Sequence, residues 1–170
     1  AVHEINSWDD LRARLEPEDR RCFAFFHPLI PNEPLIFVEV ALRNNMPETI
    51  NEVIKIDRSV TLDQDINTAV FYSISNCQEG LSGISFGNFL IKNVAHQLKQ
   101  EIEGLNKFAT LSPAPGFTKW LKEKSIAENI DEDILLKQVL IYLIDSDRED
   151  GYPNDAVAKF HLGNGAILER

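Results

Sequence analysis

One loop and two side chains in this sequence have types and spacing suited to chemistry. The loop follows an apolar run at residues 69–74 and contains Gly80 and Gly83, and a helix is predicted to begin at about Ile84. A loop between a strand and a helix presents backbone N–H groups beside the positive end of a helix dipole, which suits phosphate. The glycines would let the backbone approach a ligand, and Gly87 would allow close packing on the first turns of the helix. A plain strand-to-helix turn explains the same residues equally well.

Ser112 and His161 are the two side chains. Pro113 biases Ser112 to an extended conformation and a Pro-Gly turn follows, so the hydroxyl would be held in one place. A strand terminator that caps the next helix is the plainer interpretation. His161 lies near the end of a short predicted helix, whose negative end would favour the charged imidazole and suit a proton donor near neutral pH. A half-buried histidine packed beside its aromatic neighbour is the alternative.

Other candidates for chemistry have less support. Cys77 precedes the long predicted helix, where the pKa of a thiol falls, but packing without a reactive role explains it better. His27 is predicted to anchor a loop, and His96 to lie on the outer face of a helix. The four histidines and two cysteines lack zinc-type spacing, and the acidic runs at 131–133 and 145–150 lack EF-hand spacing, so no metal site is predicted.

The net charge of −10 at pH 7 is the main restriction that composition places on partners. It argues against non-specific binding to nucleic acid and to an anionic membrane surface. Cys22 and Cys77 do not suggest a disulfide framework, which favours a reducing compartment, taken as the cytoplasm. With 170 residues and 44% apolar content, the chain can form one domain with a hydrophobic core, and no apolar run approaches a membrane span.

Hydrophobic periodicity predicts the elements that must position these residues. The first two strands form an antiparallel hairpin across a loop at 28–34. The last two, joined through the long helix, are expected to be parallel neighbours, so that the glycine loop and Ser112 face one crevice. The predicted strands are 22–27, 35–42, 69–74 and 108–111, and the predicted helices are 8–15, 46–56, 84–103, 117–124, 133–145 and 155–162.

Longer segments carry a resemblance to known proteins. The sequence QEGLSG, residues 78–83, is similar to the pyrophosphate loop of GNAT-type acyl-CoA enzymes, and it lacks the lysine of a P-loop. Together with three other segments it resembles the malonyl-CoA decarboxylase family. The segments, in the family's order, are RRCFAFFHPLIPNEPLIFVEVAL (20–42), FYSISNCQEGLSGISFGNFLIKNV (71–94), FATLSPAPGFTKWL (108–121) and VAKFHLGNGA (157–166).

The resemblance implies an α/β (α+β) fold, GNAT-like, with a mixed and mostly antiparallel sheet flanked by helices and an acyl-CoA site at a splayed central strand pair. It implies decarboxylation of malonyl-CoA to acetyl-CoA and carbon dioxide through an enolate, with no metal or organic cofactor. The family's catalytic serine lies in LSPxPG and its catalytic histidine in FHLxNGA, which places these roles on Ser112 and His161. The expected substrate-binding residues are Ser75, Gln78, Glu79, Gly80, Leu81, Ser82, Gly83 and Asn164.

The resemblance also bears on chain organisation and partners. Residues 1–170 are expected to be a single GNAT-like catalytic domain, as a fragment without the family's N-terminal helical domain and C-terminal strands. The region between Trp120 and Val157 is shorter than in the family, and Ser85 stands where some relatives have an acid. The expected partners are malonyl-CoA and acetyl-CoA, with a homo-oligomer in the full-length protein and neither nucleic acid nor membrane.

Three other functions stay open on the sequence. A GNAT acyltransferase that hands acetyl to an amine fits the glycine loop, although its usual pattern lacks the Ser112 and His161 motifs. A non-catalytic acyl-CoA-binding domain would bind CoA without turnover. A purely structural module would not be stabilised by CoA at all.

Overall fold

The computed structural model describes residues 2–81, 86–126, 130–144 and 151–169. The chain divides into two units, Ala1–Leu111 and Ser112–Arg170. The helices and strands, in chain order, are α1 (Trp8–Leu15), β1 (Arg20–His27), β2 (Ile30–Arg43), α2 (Asn51–Ile54), β3 (Thr68–Asn76), α3 (Phe86–Glu101), β4 (Lys107–Thr110), α4 (Phe117–Glu123), α5 (Glu132–Ile144) and α6 (Ala156–Gly163), with 3₁₀ turns at Asp63–Asp65 and Glu79–Leu81.

The first unit contains a four-stranded mixed sheet in the order β1-β2-β3-β4. The β1–β2 and β2–β3 pairs are antiparallel, which confirms the predicted hairpin. The β3–β4 pair is parallel, as the crossover through α3 predicts, and runs from Thr68 opposite Lys107 to Phe71 opposite Thr110. The β3 strand continues to Asn76, five residues beyond this pairing, so the two strands share hydrogen bonds only along the first part of β3.

The core lies on both faces of the central strands, which explains why their sequences are almost continuously apolar. On one face, β2 and β3 pack against Leu90, Val94 and Leu98 of α3. On the other face, Val70 and Tyr72 pack with Val53 of α2. The apolar spacing of α3 therefore follows from one buried stripe, as its helical periodicity predicts.

The predicted loop at 28–34 is wrong for most of its length, because β2 begins at Ile30. Prolines normally interrupt a sheet, since they lack the N–H that a ladder needs. Here Pro31 and Pro34 precede Ile36, which is the first β2 residue to pair with β3, opposite Asn76. This part of β2 is therefore paired with β1 alone. The β1–β2 register also shifts there, between Phe25 and His27, which admits residues that cannot complete a regular ladder.

The predicted helix at 46–56 is also too long, because only Asn51–Ile54 is α-helical. The preceding turn is closed by a side chain instead of by helical hydrogen bonds. Glu52 Oε1 accepts from the backbone N–H groups of Glu48 and Thr49, at 3.0 and 3.2 Å. The remaining helices are confirmed within about two residues of their predicted ends, as expected where helix ends fray.

A buried carboxylate fixes the loop after α2 to the start of the sheet. Arg58 donates to both oxygens of Asp19, at 2.6 and 2.9 Å, and the N–H of Thr61 donates to Oδ2 at 2.9 Å. Burial alone would raise the pKa of Asp19, but these donors and Arg20 outweigh it and lower that pKa. Burial lowers the pKa of Arg20 to about 10, against the attraction of Asp19. The carboxylate is thus charged in the folded chain and satisfied by four groups.

The second unit contains α4, α5 and α6. Three aromatic rings pack together where α4 meets α5. Phe117, Trp120 and Tyr142 have ring centroids 5.4–6.0 Å apart. The acidic run at 145–150 lies outside the described residues.

These observations confirm a mixed α+β fold with helices on a mostly antiparallel sheet, whereas the GNAT-like character and the expectation of one domain stay predictions. Among the helices of the described chain, none combines the length and apolar character that a membrane span needs.

Replacing Asp19 with Asn tests the buried carboxylate. We expect Asp19→Asn to lower the free energy of unfolding by about 3–5 kcal/mol, because Arg20 and Arg58 lose the charge that pairs them. Asp57→Asn, an exposed acid in the same loop, is the control and should change stability by less than about 0.5 kcal/mol. The folded-state pKa of Asp19 is depressed. Its contribution to folding stability is therefore fully present above its unfolded-state pKa and is lost as pH falls through its folded-state pKa. Equal stability of both variants in urea unfolding would contradict this.

Candidate active site

The hydroxyl of Ser112 is exposed at the start of a stiff turn. Ser112 follows Leu111, whose N–H donates to the carbonyl of Phe71 at 2.9 Å and ends the β4 pairing. Two prolines in the next three residues restrict the backbone, and the N–H of Phe117 donates to the carbonyl of Ala114 at 3.1 Å as α4 begins. The interpretation of this segment as a strand terminator is confirmed, but Ser112 does not cap the next helix, because the N-cap of α4 is Gly116, which makes no side-chain cap hydrogen bond.

His161 lies in the last turn of α6, a helix that is capped at both ends. At the start, the Asp155 side chain accepts from the N–H groups of Val157 and Ala158, at 3.0 and 2.8 Å. At the end, the His161 carbonyl accepts from the N–H of Ala166, while Gly165, with φ of 90°, donates to Leu162. This pattern is a Schellman motif, and it explains why the FHLGNGA sequence needs a glycine at that position.

The structure brings the side chains of Ser112 and His161 together. Ser112 Oγ lies 2.9 Å from His161 Nε2, within hydrogen-bond distance. The two residues are 49 positions apart in the sequence, so the contact is tertiary. The predicted packing of His161 beside Phe160 is also present, with the rings edge to face at 5.0 Å.

The predicted charge state of His161 is wrong. The helix dipole was expected to favour the imidazolium, but burial lowers the pKa of His161 below its ordinary value of 6.5. Withdrawal from water disfavours the charged form of an imidazole. The imidazole is therefore neutral at pH 7, and its Nε2 can accept the Ser112 proton or, in the other tautomer, donate to Oγ. Such a pair can position a substrate oxygen and exchange a proton with it.

The predicted substrate-binding residues are placed as follows in the first unit. Glu79, Gly80 and Leu81 form a 3₁₀ turn after β3, and nothing lies within 4 Å of where a Gly80 Cβ would be. Gln78 holds the turn to β2, because its amide nitrogen is 3.3 Å from Glu33 Oε2 and 3.4 Å from the Pro34 carbonyl. Ser75 is half-buried on β3. Ser82 and Gly83 lie outside the described residues, as does Ser85.

Asn164, the predicted substrate-binding residue of the second unit, makes a structural contact. Its side-chain amide donates to the Phe160 carbonyl at 2.6 Å, at the C-terminus of α6. The prediction that the glycine loop and Ser112 face one crevice stays a prediction.

The structure also describes the other residues that the sequence suggested for chemistry. The Nδ1 atom of His27 accepts from the N–H of Leu29 at 3.1 Å, which confirms a loop anchor. Burial raises the pKa of the Cys77 thiol, the opposite of what a nucleophile at a helix N-terminus needs. In the described part of the chain, no three His, Cys, Asp or Glu side chains are grouped to hold a metal ion.

Sequence reasoning missed two residues beside the pair. Tyr142 donates to Asp155 Oδ2 at 2.6 Å, and both side chains are buried. An aspartate before a short apolar helix is a recognisable capping signal. The tyrosine has no comparable signal, since its position in α5 also suits ordinary packing.

Comparison with known proteins gives the family. The family model of the malonyl-CoA decarboxylase C-terminal domain matches residues 1–133 and 122–170. The chain belongs to the malonyl-CoA decarboxylase family. The two matched ranges overlap at 122–133, within the region that the sequence predicts to be short relative to this family.

Individual malonyl-CoA decarboxylases match the whole chain. The crystal structures from Rhodopseudomonas palustris and Agrobacterium vitis are 46% and 44% identical to it, with TM-scores of 0.86 and 0.85. The mitochondrial malonyl-CoA decarboxylase of Mus musculus is 42% identical and that of Anser anser anser 34%. The match covers 100% of this chain but 48% and 49% of the two crystal structures, and 44% and 43% of the two curated sequences. The chain thus spans about half the length of these relatives.

The protonation of His161 can be measured directly. We expect its ring to titrate by NMR with a midpoint below 6.5, because burial disfavours the imidazolium. The midpoint should stay below 6.5 in Ser112→Ala, since the cause is burial and not the hydroxyl. Because the unfolded state binds the proton more readily, His161 lowers folding stability as pH falls below its unfolded pKa. A midpoint at or above 6.5 would restore the helix-dipole interpretation.

Proposed function

We propose that this chain supplies catalytic residues for the decarboxylation of malonyl-CoA to acetyl-CoA and carbon dioxide. The observation that carries the proposal is the 2.9 Å contact between Ser112 Oγ and His161 Nε2. Each residue stands in a motif that the resemblance to malonyl-CoA decarboxylases associates with catalysis. Family membership supports the reaction, and the geometry supports a shared role for these two side chains.

The reaction requires stabilisation of one charge and delivery of one proton. The bond between the carboxylate carbon and the α-carbon breaks, carbon dioxide leaves, and the electron pair moves into the thioester to form an enolate. Hydrogen-bond donors aimed at the thioester oxygen lower the barrier. An acid then protonates the α-carbon to give the methyl group of acetyl-CoA. We propose that no metal or organic cofactor is needed, because the thioester itself accepts the electron pair.

The Ser112–His161 pair can perform both tasks. We assign Ser112 to orient the substrate carboxylate or thioester with its hydroxyl, and His161 to stabilise the enolate and supply the proton, directly or through water. A histidine that is neutral at rest is a strong acid once protonated, because its pKa is lowered. Each turnover consumes one proton from solvent: the neutral imidazole takes it up to form the imidazolium, and transfer of that proton to the α-carbon returns the ring to the neutral imidazole.

We assign CoA binding to the loop after β3. Glu79 and Gly80 are exposed there, and the space around Gly80 is open, which suits close approach of a pyrophosphate. The end of the β3–β4 pairing at Phe71 resembles the splayed strands expected at a GNAT-like acyl-CoA site. Ser75, Gln78, Leu81, Ser82, Gly83 and Asn164 complete the proposed set, although the Gln78 and Asn164 amides already make internal contacts.

Family membership also supports proposals for the domain organisation, the partners and the location of the protein. Residues 1–170 would be part of one GNAT-like catalytic domain, since the relatives are about twice as long. Malonyl-CoA and acetyl-CoA are the proposed partners, with a homo-oligomer in the full-length protein and neither nucleic acid nor membrane. The cytoplasm is the proposed location, although the two animal relatives are named as mitochondrial.

The first test is release of carbon dioxide and acetyl-CoA from malonyl-CoA by the chain with its natural flanking residues. Ser112→Ala and His161→Asn should each lower kcat by about 10²–10⁴-fold, because each removes a group that acts on the reacting atoms. Ser59→Ala and His96→Asn are matched controls, since both residues are exposed in the first unit, and they should retain full turnover. Near-normal turnover by Ser112→Ala or His161→Asn would remove that residue from the mechanism.

CoA binding separates this function from the alternatives. A CoA concentration about 100 times its Kd should stabilise wild type and both variants by about 2.7 kcal/mol. Stabilisation without turnover in wild type would indicate a CoA-binding domain, or an acyltransferase if an added amine is acetylated. No stabilisation would indicate a structural module. Comparing residues 1–170 with the extended chain shows whether this part is active alone.

A further inference from the structure

A buried hydrogen-bond chain joins the turn that carries Ser112 to the helix that carries His161. Its central contact is the 2.6 Å hydrogen bond from Tyr142 Oη to Asp155 Oδ2. Tyr142 is 6% exposed and Asp155 4%, so neither group exchanges this partner for water. A short hydrogen bond from a neutral donor to a buried carboxylate is among the stronger ones in proteins.

Asp155 connects this contact to His161. Its Oδ1 accepts from the first N–H groups of α6, while Oδ2 accepts from Tyr142, so both oxygens are used. A short helix has little stability of its own, and its position follows its caps. His161 is six residues after Asp155 on this helix, so a displacement of the carboxylate would displace the imidazole.

Gly116 connects the same contact to Ser112. A Cβ at Gly116 would overlap Tyr142 Oη, so only glycine allows the backbone to pass this close. The Gly116 backbone also hydrogen-bonds to the tyrosine hydroxyl. Two prolines stiffen the three residues between Ser112 and Gly116. The Tyr142 hydroxyl, by fixing Gly116, therefore also constrains the position of Ser112.

We propose that Tyr142 and Asp155 are positioning residues that set the distance between Ser112 and His161. This proposal rests on the proposed function only where it predicts a change in turnover. These contacts form a closed loop. The prolines connect Ser112 to Gly116, which contacts Tyr142, and Tyr142 donates to Asp155. Helix α6 connects Asp155 to His161, which contacts Ser112 again. Neither proposed residue needs to touch the substrate.

Tyr142→Phe is the decisive variant, because it keeps the aromatic packing and removes only the hydroxyl. We expect kcat to fall roughly 10- to 100-fold, since small misplacement of reacting groups is costly, while KM changes by less than about twofold. Asp155→Asn can keep the N-cap through its one amide oxygen but places an NH₂ group where Oδ2 accepts from Tyr142, so it should lose activity and yet keep more than Asp155→Ala.

Matched controls separate positioning from general loss of stability. Tyr72→Phe removes a buried tyrosine hydroxyl that, among the described residues, has no hydrogen-bond partner. Ser7→Ala removes the side-chain cap of α1. Both lie in the first unit, and both should leave kcat unchanged. If Tyr142→Phe lowers the Tm and leaves kcat unchanged, as we expect of Ser7→Ala, the residue is structural and the proposal is overturned.

A readout without substrate keeps the test independent of the proposed function. The ¹⁵N NMR shift of His161 Nε2 reports its hydrogen bond to Ser112, and Ser112→Ala gives the value without that bond. In folded Tyr142→Phe, or in Asp155→Asn if the first variant does not fold, the signal should move toward that value. An unmoved signal overturns the proposal, even if wild type decarboxylates malonyl-CoA. A moved signal supports it, even if wild type shows no turnover.

Discussion

A helix of only eight residues carries His161, and such a helix depends on its ends for stability. The Asp155 carboxylate satisfies its first N–H groups, and the Schellman motif at Gly165 satisfies its last carbonyls. Because Asp155 also accepts from Tyr142, the helix is tied to α5 at the same point. The position of the imidazole is thus decided by hydrogen bonds away from the imidazole itself, and the 2.9 Å contact with Ser112 is their consequence.

The first unit is organised around two strands, β2 and β3, that are buried on both faces. β2 and β3 have apolar residues on both faces, and helices cover both sides of them. Among the polar groups that remain inside, Asp19 is paired with Arg58, Arg20 and Thr61. Such a cluster adds little net stability but is costly to break, so it favours one arrangement of the loop after α2.

The sequence was sufficient where local pattern decides structure. The antiparallel hairpin and the helix at 8–15 were predicted as the structure has them, because hydrophobic pattern and capping, here by Ser7, act over a few residues. The Ser112 and His161 roles came from family motifs, and their spacing of 49 residues says nothing about contact. The charge state of His161 could not be predicted, because the burial that lowers its pKa depends on the folded surroundings. The Tyr142–Asp155 pair was missed for the same reason, and β2 extends through its prolines because only β1 pairs with that part.

Deuterium incorporation tests whether residues of this chain protonate a carbanion formed from malonyl-CoA. The extended chain is given malonyl-CoA in D₂O for a short time, and the acetyl-CoA product is examined by mass spectrometry beside unreacted malonyl-CoA as the exchange control. We expect acetyl-CoA with one deuterium in its methyl group, because the proton-donating groups exchange with solvent. Acetyl-CoA without deuterium, or no acetyl-CoA at all, would contradict this expectation.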